Sequence, residues 1–397
     1  MNRHCQSLGV LLCVMSLLTC VGQAFAQDMP LIRWPAVAGI NYPAEPDHLL
    51  ATVRELHEKA DVSVVSTRLS AVVASAAPYG LAGAVSAHAF KSLQPGQYER
   101  VIIIAPGHGP MFEHCSIPAV DVFLTPLGPV PLDAPAIRYL LYSPLFHAHQ
   151  IRYESGRQRD RIHEFEFAIE SLLPYLQERL LEFKLVPVLV GDLRDPQGRV
   201  SESTITAIAE AIAPIINDRT LIVVSSSFTH YGTDYGNRPF AENILENIAH
   251  LDRLAFEKIL AMNIRGFRAY LEETHNVIDG KECIQILMKL LPKRTQARLL
   301  AYETSAALTG ETNRSVSYAA FTFHDPARPA LSPQPDKVRP LVLRRPERVV
   351  TPPEDALPPQ GERLPDARQN RRPDPGAPVD EAMPLPSPNL KEEPKDE

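Results

Sequence analysis

The stretch 221–232 reads Leu-Ile-Val-Val-Ser-Ser-Ser-Phe-Thr-His-Tyr-Gly. Four apolar residues, three of them β-branched, are followed by small hydroxyls and a histidine. Such a run describes a strand buried on both faces that ends by delivering polar side chains to the edge of a sheet. In open α/β sheets ligands sit beyond the carboxyl ends of the strands, which puts Ser227, Thr229 and His230 on a candidate pocket rim. The alternative is that the serines only turn or cap the strand end.

Working outward, 100–105 contains Val-Ile-Ile-Ile and breaks at Pro106-Gly107-His108-Gly109-Pro110, which continues neither strand nor helix. A third buried strand is expected over 185–190, and further strands over 69–74, 119–124, 299–304 and 315–323. Helical spacing predicts helices over 48–60, 82–91, 134–142, 163–182 with a kink or boundary at Pro174, 201–216, 242–261, 265–275 and 283–290. Strands alternating with helices imply right-handed crossovers, and so an α/β fold with a mainly parallel sheet flanked by helices.

The chain of 397 residues is 45% hydrophobic and 22% charged, ample for a large core. A net charge of -7 gives no electrostatic reason to expect a nucleic-acid partner. Residues 1–26 read as a signal peptide: a basic start at Asn2-Arg3-His4, an apolar run over 8–21, and Ala24-Phe25-Ala26 for cleavage. Cys20 follows threonine, a poor lipoprotein signal, so the expectation is an exported, soluble bacterial protein, periplasmic or secreted. The apolar run is short for a membrane span and none longer follows, so no transmembrane segment is expected after cleavage. The domain spans 27–325, and 326–397 is a proline-rich, charged tail too poor in large apolar groups to offset its ordering entropy, hence expected to be disordered. Of five cysteines, Cys115 and Cys283 lie outside the signal. Export permits a disulfide between them, but independent buried thiols are the expected state.

Small residues in the loops 75–80, 106–110, 225–232 and 275–283 allow backbone to approach a ligand. His108, His230 and Asp279 are weak candidates for a two-histidine, one-carboxylate metal site, although no compact ligand motif is present. Ser227 and His230, three apart, offer a hydrolase pair without a nucleophile elbow or an aspartate to orient the histidine. His88 reads as a satisfied helix histidine. Glu166 and Glu170, four apart on one helical face, read as solvated or paired with arginines.

These loops arrive in the order of a known family. Ser-Ala-His-Ala-Phe-Lys at 86–91, Pro-Val-Leu-Val-Gly at 187–191, Ser-Ser-Ser-Phe-Thr-His-Tyr-Gly at 225–232 and Ser-Val-Ser-Tyr-Ala-Ala at 315–320 resemble the Memo family, which includes AmmeMemoRadiSam system protein B. The resemblance covers most of the chain between signal and tail. It implies a fold similar to the class III extradiol dioxygenases, which use non-haem iron. The departures concern the metal. Ala76 stands where the family has a ligand histidine in Ala-Pro-His-Ala-Gly-Tyr, in a segment that keeps Tyr79. Gly109 stands where the second histidine of Gly-Pro-Ser-His-His is the ligand, leaving His108 from the pair. Asp279 replaces the thiolate of Ile-Cys-Gly, and Ser227 the aspartate of Ser-Ser-Asp-Phe-x-His, with His230 kept. Over 166–175 both glutamates remain and both histidines are gone.

Alanine and glycine side chains carry no donor atoms, so the resemblance implies an inherited pocket with no cofactor. Tyr79, His108, Ser227, Thr229, His230 and Asp279 would line it. The expected function is a non-catalytic scaffold binding a small molecule or a protein. The alternative is a divergent oxidoreductase holding iron or another divalent metal, or a metal-free hydrolase using Ser227 and His230; an envelope-interaction role for the tail is a third reading.

Overall fold

All six residues of Thr220–Ser225 are buried, because neighbours occupy both edges of this strand and helices cover its faces. The computed structural model describes residues 30–63, 65–109, 112–148, 150–152 and 158–338. The segment read as a signal peptide, and the tail from 339 onward, lie outside the described residues.

The elements begin with β1 (Ile32–Arg33), α1 (Pro46–Lys59), β2 (Thr67–Ala74), α2 (Tyr79–Phe90), β3 (Arg100–Pro106), β4 (Cys115–Ser116), β5 (Val122–Thr125) and β6 (Gly128–Pro131). They continue with α3 (Ala134–Leu140), β7 (Phe146–His147), β8 (Gln150–Arg152), β9 (Gln158–Arg161), α4 (Leu173–Leu180), β10 (Lys184–Val190), α5 (Glu202–Ile212) and β11 (Thr220–Ser225). The last are β12 (His230–Tyr231), α6 (Ile244–Leu260), α7 (Ile264–Thr274), α8 (Lys281–Leu290), β13 (Gln296–Thr304), α9 (Ser305–Thr309) and β14 (Ser315–Pro329).

Among the described residues the main sheet has nine strands, in the order β12-β14-β2-β11-β3-β10-β4-β7, with β13 on β14. The central run β2-β11-β3-β10 is parallel, in register from Ile222 opposite Ala71 and Ile102 to Val186 opposite Ile102. Antiparallel β14 and β4 flank it. The sheet is therefore an α/β sheet with a parallel centre and mixed edges. The β-branched runs Val101–Ile104 and Leu221–Val224 are almost wholly buried, as strands covered on both faces require. Because β2, β3 and β11 run the same way, the loops after Ala74, Pro106 and Ser225 open on one edge of the sheet.

Three expectations are corrected. The predicted helix over 163–182 is instead two short turns, Ile162–Glu164 and Glu170–Leu172, before α4, with Pro174 in the first turn of α4, where its missing N–H costs nothing. Of the two readings of Glu166 and Glu170, the solvated face is excluded, since they are 4% and 0% exposed, and pairing with an arginine holds for Glu170. The final strand, expected to stop at Phe323, runs on to Pro329. Cys115 and Cys283 are buried free thiols, and burial raises the pKa of both. No described helix is long and apolar enough to cross a membrane.

What holds the 163–172 segment is an ion pair. Arg33 on β1 is 1% exposed and meets Glu170 through Nη1. Its Nε donates to the His163 carbonyl at 2.9 Å and Nη2 to the Glu166 carbonyl at 2.6 Å, while its Cζ lies 5.2 Å from the Phe123 ring centroid. Glu170 also accepts from the backbone N–H groups of Ala36 at 2.8 Å and Val37 at 3.1 Å, and from the Tyr42 hydroxyl. Removing one member leaves an uncompensated buried charge. Arg33→Met should therefore lower the unfolding free energy by about 3–5 kcal/mol in urea titrations; an unchanged midpoint would show that the pair is not what anchors this segment.

Candidate functional site

Beyond the carboxyl end of β3 the chain turns at Gly107, and His108 lies at the centre of the site. Its Nδ1 is 2.9 Å from Glu166 Oε1 and its Nε2 is 2.8 Å from Asp279 Oδ2. Against the pull of burial, the two carboxylates hold the His108 pKa above its ordinary value, and in the protonated ring both nitrogens donate. Glu166 is fixed in turn: Oε2 accepts from the His108 backbone N–H at 2.6 Å and Oε1 from that of Ala168 at 2.9 Å. The Phe167 ring stacks on the imidazole with centroids 4.4 Å apart. Asp279 arrives from the turn before α8, where Gly280 has φ +76°, and an added Cβ would stand 2.5 Å from the Ser225 carbonyl oxygen. Glycine at 280 is thus what lets the Asp279 turn press against the end of β11. The Ser226 hydroxyl donates to the Asp279 carbonyl across the same gap.

The serines after β11 knit strand ends together. Ser227 Oγ lies 2.7 Å from Ser75 Oγ, beyond β2, and the Ser226 N–H donates to the Ala74 carbonyl at 3.0 Å. His230 is 8% exposed, with Nδ1 2.8 Å from the Phe228 carbonyl oxygen and its ring edge-on to Tyr235 at 5.0 Å. A carbonyl accepts, so Nδ1 carries the proton in the neutral ring and the lone pair is at Nε2.

Thr229 is fully buried and faces away from the rim. Its hydroxyl donates to Asp252 Oδ1 at 2.6 Å and accepts from Asn276 Nδ2 at 2.8 Å. Asp252 also takes the Thr229 N–H at 3.1 Å and the Tyr302 hydroxyl at 2.7 Å; burial raises its pKa, against the pull of these hydrogen bonds. Asn276 and Asn237 carry the network onward to Tyr270 and to the His230 carbonyl. Tyr79 sits elsewhere, in an aromatic cluster 5.7 Å from Tyr42 and 4.7 Å from Tyr175 by ring centroids, its hydroxyl on the Ser171 carbonyl. Ala76 is 4% exposed. His88 turns back to the Ala84 carbonyl of its own helix at 2.8 Å.

The structure therefore joins His108 to Asp279, holds Ser227 and His230 on the same strand-end segment, and sends Thr229 and Tyr79 into the interior. Sequence reasoning missed Glu166 as a site residue, along with Ser75, Asp252 and Asn276. The available signal for Glu166 was its setting in Phe-Glu-Phe-Ala-Ile, an apolar run in which a carboxylate is expected to have a partner. Among the described residues, no three His, Cys, Asp or Glu side chains converge in a way that could hold a metal ion.

The Memo-like protein family model matches residues 33–322, most of the chain and all of the elements just described up to β14. The chain belongs to the Memo family. Its sequence is 28% identical to Protein MEMO1 of Rattus norvegicus over 264 residues, which is 63% of this chain and 84% of the relative. It is 28% identical to a MEMO1 family protein of Thermococcus kodakarensis over 308 residues, covering 74% of this chain and 99% of the relative. A MEMO1 family protein of Pyrococcus abyssi is 26% identical over 303 residues, covering 74% and 99%. In this Memo-family chain the α/β frame carries the polar groups described above at its strand ends.

The clamp predicts a pH dependence. Burial pulls the His108 pKa down, but Asp279 and Glu166 outweigh it and hold the value well above the ordinary 6.5. A group whose folded pKa exceeds its unfolded one stabilises the fold fully below the unfolded value, near ~6.5, and that contribution is lost as pH rises through the folded value. The stability difference between the native chain and His108→Gln should be largest near pH 6 and shrink above neutrality. Urea midpoints measured across that range check it; a difference that grows with pH would contradict the charged clamp.

Proposed function

We propose that this chain is an exported Memo-like protein whose cleft has lost the family's metal chemistry and works as a non-catalytic binding scaffold for a small molecule or a protein segment. The double clamp on His108 carries the reading. A histidine ligand offers a lone pair to its metal, and a ring that donates at both nitrogens has none. Ala76 and Gly109, which stand at the ligand positions that the resemblance implies, contribute no donor atoms. Asp279, the third substituted position, is engaged with His108 at 2.8 Å. The residues present do not fit a three-ligand transition-metal centre, because coordination needs deprotonated, convergent donors.

The rearranged site still presents polar groups at the edge where α/β proteins bind ligands: the Asp279 carboxylate, 18% exposed, and the His108 ring, 24% exposed. With Glu166 the local charge sums to minus one, so a ligand carrying a hydrogen-bond donor or a positive charge is favoured over an anion. Export rests on the basic, apolar and small-residue sequence of 2–26. A hydrolase using Ser227 and His230 is the lesser reading. The Ser227 hydroxyl is engaged with Ser75, whereas a serine nucleophile needs a hydrogen bond to its base.

Metal analysis decides between scaffold and metalloenzyme. The purified mature chain, incubated with ferrous iron under exclusion of air and desalted, should retain no stoichiometric ion, and His108→Ala, His230→Ala and Asp279→Ala should leave the metal content unchanged. One equivalent of iron, zinc or copper retained by the native chain and released by these substitutions would overturn the scaffold reading.

A further inference from the structure

The strand β13 ends one side of the main sheet, and among the described residues it pairs with β14 alone. Residues 321–323 of β14 pair with β2 and with β13 at once, so those two strands lie on opposite edges of β14. The outer edge of β13 therefore faces no described strand.

Which backbone groups point outward follows from β14. Ser317 donates its N–H to the Thr229 carbonyl at 3.0 Å, and its own carbonyl accepts from the Phe228 N–H at 2.7 Å. Both groups thus face away from Thr304, the neighbour of Ser317 on β13. Backbone direction alternates along an antiparallel pair. Tyr318, Ala320, Thr322 and His324 then turn toward Glu303, Ala301, Arg298 and Gln296, and the N–H and carbonyl groups of Ala297, Leu299, Tyr302 and Thr304 point outward. The step is broken once, by a bulge that leaves Leu300 as an extra residue between Leu299 and Ala301. The bulge puts Arg298 and Glu303, five positions apart, on the same face of the strand.

We propose that β13 is where a second copy of this chain adds to the sheet, the two β13 strands running antiparallel about a two-fold axis. One register satisfies the strand's own pattern. Outward residues must face outward residues, and Leu299 opposite Tyr302, with Ala297 opposite Thr304, meets that condition. In this register Arg298 stands opposite Glu303 of the second copy, in a non-hydrogen-bonded pair, where facing side chains come closest. On the other face Leu299, 38% exposed, meets Tyr302. The bulged Leu300 faces Ala301, whose small side chain leaves it room. Glu303 exchanges partners: its carboxylate now accepts from the Thr304 N–H at 2.9 Å. In the pair that N–H passes to the Ala297 carbonyl of the second copy, and the freed carboxylate to the exposed Arg298.

A bulge and a charge on an edge strand discourage stray pairing. Here they make the edge selective, because an incoming strand must bring a carboxylate opposite Arg298 and an irregularity opposite Leu300. A second β13 brings both. Four facing pairs of outward residues supply about eight backbone hydrogen bonds. Contact confined to one strand and its flanks belongs to the small end of interfaces, so the dimer is weak and depends on concentration.

Sedimentation equilibrium of the full mature chain from about 1 µM to about 0.5 mM, with hydrogen exchange at both extremes, tests this. The native chain should pass from monomer to dimer, and the amides of Leu299 and Tyr302 should exchange more slowly as concentration rises. Arg298→Glu sets like charges opposite each other twice and should raise the dissociation constant about tenfold or more. Arg298→Glu/Glu303→Arg should bring it back to within about threefold of the native value. Thermal unfolding at the low concentration checks that both variants fold, and the exchange measurement on the native chain stands without them. A native chain that stays monomeric throughout overturns the proposal. So does a dimer that leaves those amides unprotected, that ignores Arg298→Glu, or that the folded double variant fails to restore. Protection independent of concentration also overturns it, by placing another strand of the same chain at the edge.

Discussion

The buried pairing of Arg33 with Glu170 is the constraint from which the site's geometry follows. A guanidinium and a carboxylate that are both out of water are tolerated only when their remaining donors and acceptors are met, and here they are met by backbone. The carbonyls of His163 and Glu166 and the N–H groups of Ala36 and Val37 are the partners. Two chain segments more than a hundred residues apart are thereby held in one arrangement. One consequence is that Glu166, four residues from Glu170, faces inward. A carboxylate presented to the interior needs a cation or several donors, and His108 supplies both its ring and its backbone N–H.

This order of dependence explains how the site accommodates its charge within the chain. Glu166 and Asp279 approach one imidazole from either side, and two carboxylates so close would repel unless a positive charge lay between them. In an enzyme of the fold that the family resemblance implies, a metal ion supplies positive charge at the strand ends. Here the imidazolium supplies it from within the chain. A metal-binding histidine and a charge-bridging histidine are mutually exclusive states of the same ring, because the second state uses the lone pair that the first requires.

The frame was legible in the sequence to the extent that burial controls it. Val-Ile-Ile-Ile and Leu-Ile-Val-Val cannot face water, so their strands and the intervening helices follow from pattern alone. What pattern could not convey was the 163–172 segment. Its apolar and acidic residues have helical spacing, yet the carboxylates are drawn to Arg33 and His108, and tertiary hydrogen bonds displace the local preference. Short strands such as β4 and β7 were illegible for a related reason: two residues carry no period, and their pairing is set by partners distant in sequence. At the site, the pairing of His108 with Asp279 spans 171 positions, and only the fold brings the two together. Thr229 was misplaced on the rim because a strand end exposes alternate side chains only while the strand is regular, and after Ser225 it is not.

The two ends of the central strands therefore obey different rules. At the carboxyl ends, serine hydroxyls, the Gly280 turn and the His108 clamp join β2, β3 and β11 to α8 and the 163–172 segment, so that substitution of one polar group is felt by all. Behind them the Thr229–Asp252–Asn276 network fixes the backbone that carries His230. At the amino ends a cleft is bounded by proline walls, a strained Leu181 and a crossing of backbone at Gly96. The fold tolerates variation in the loops at one edge because the β-branched core between the edges does not depend on them.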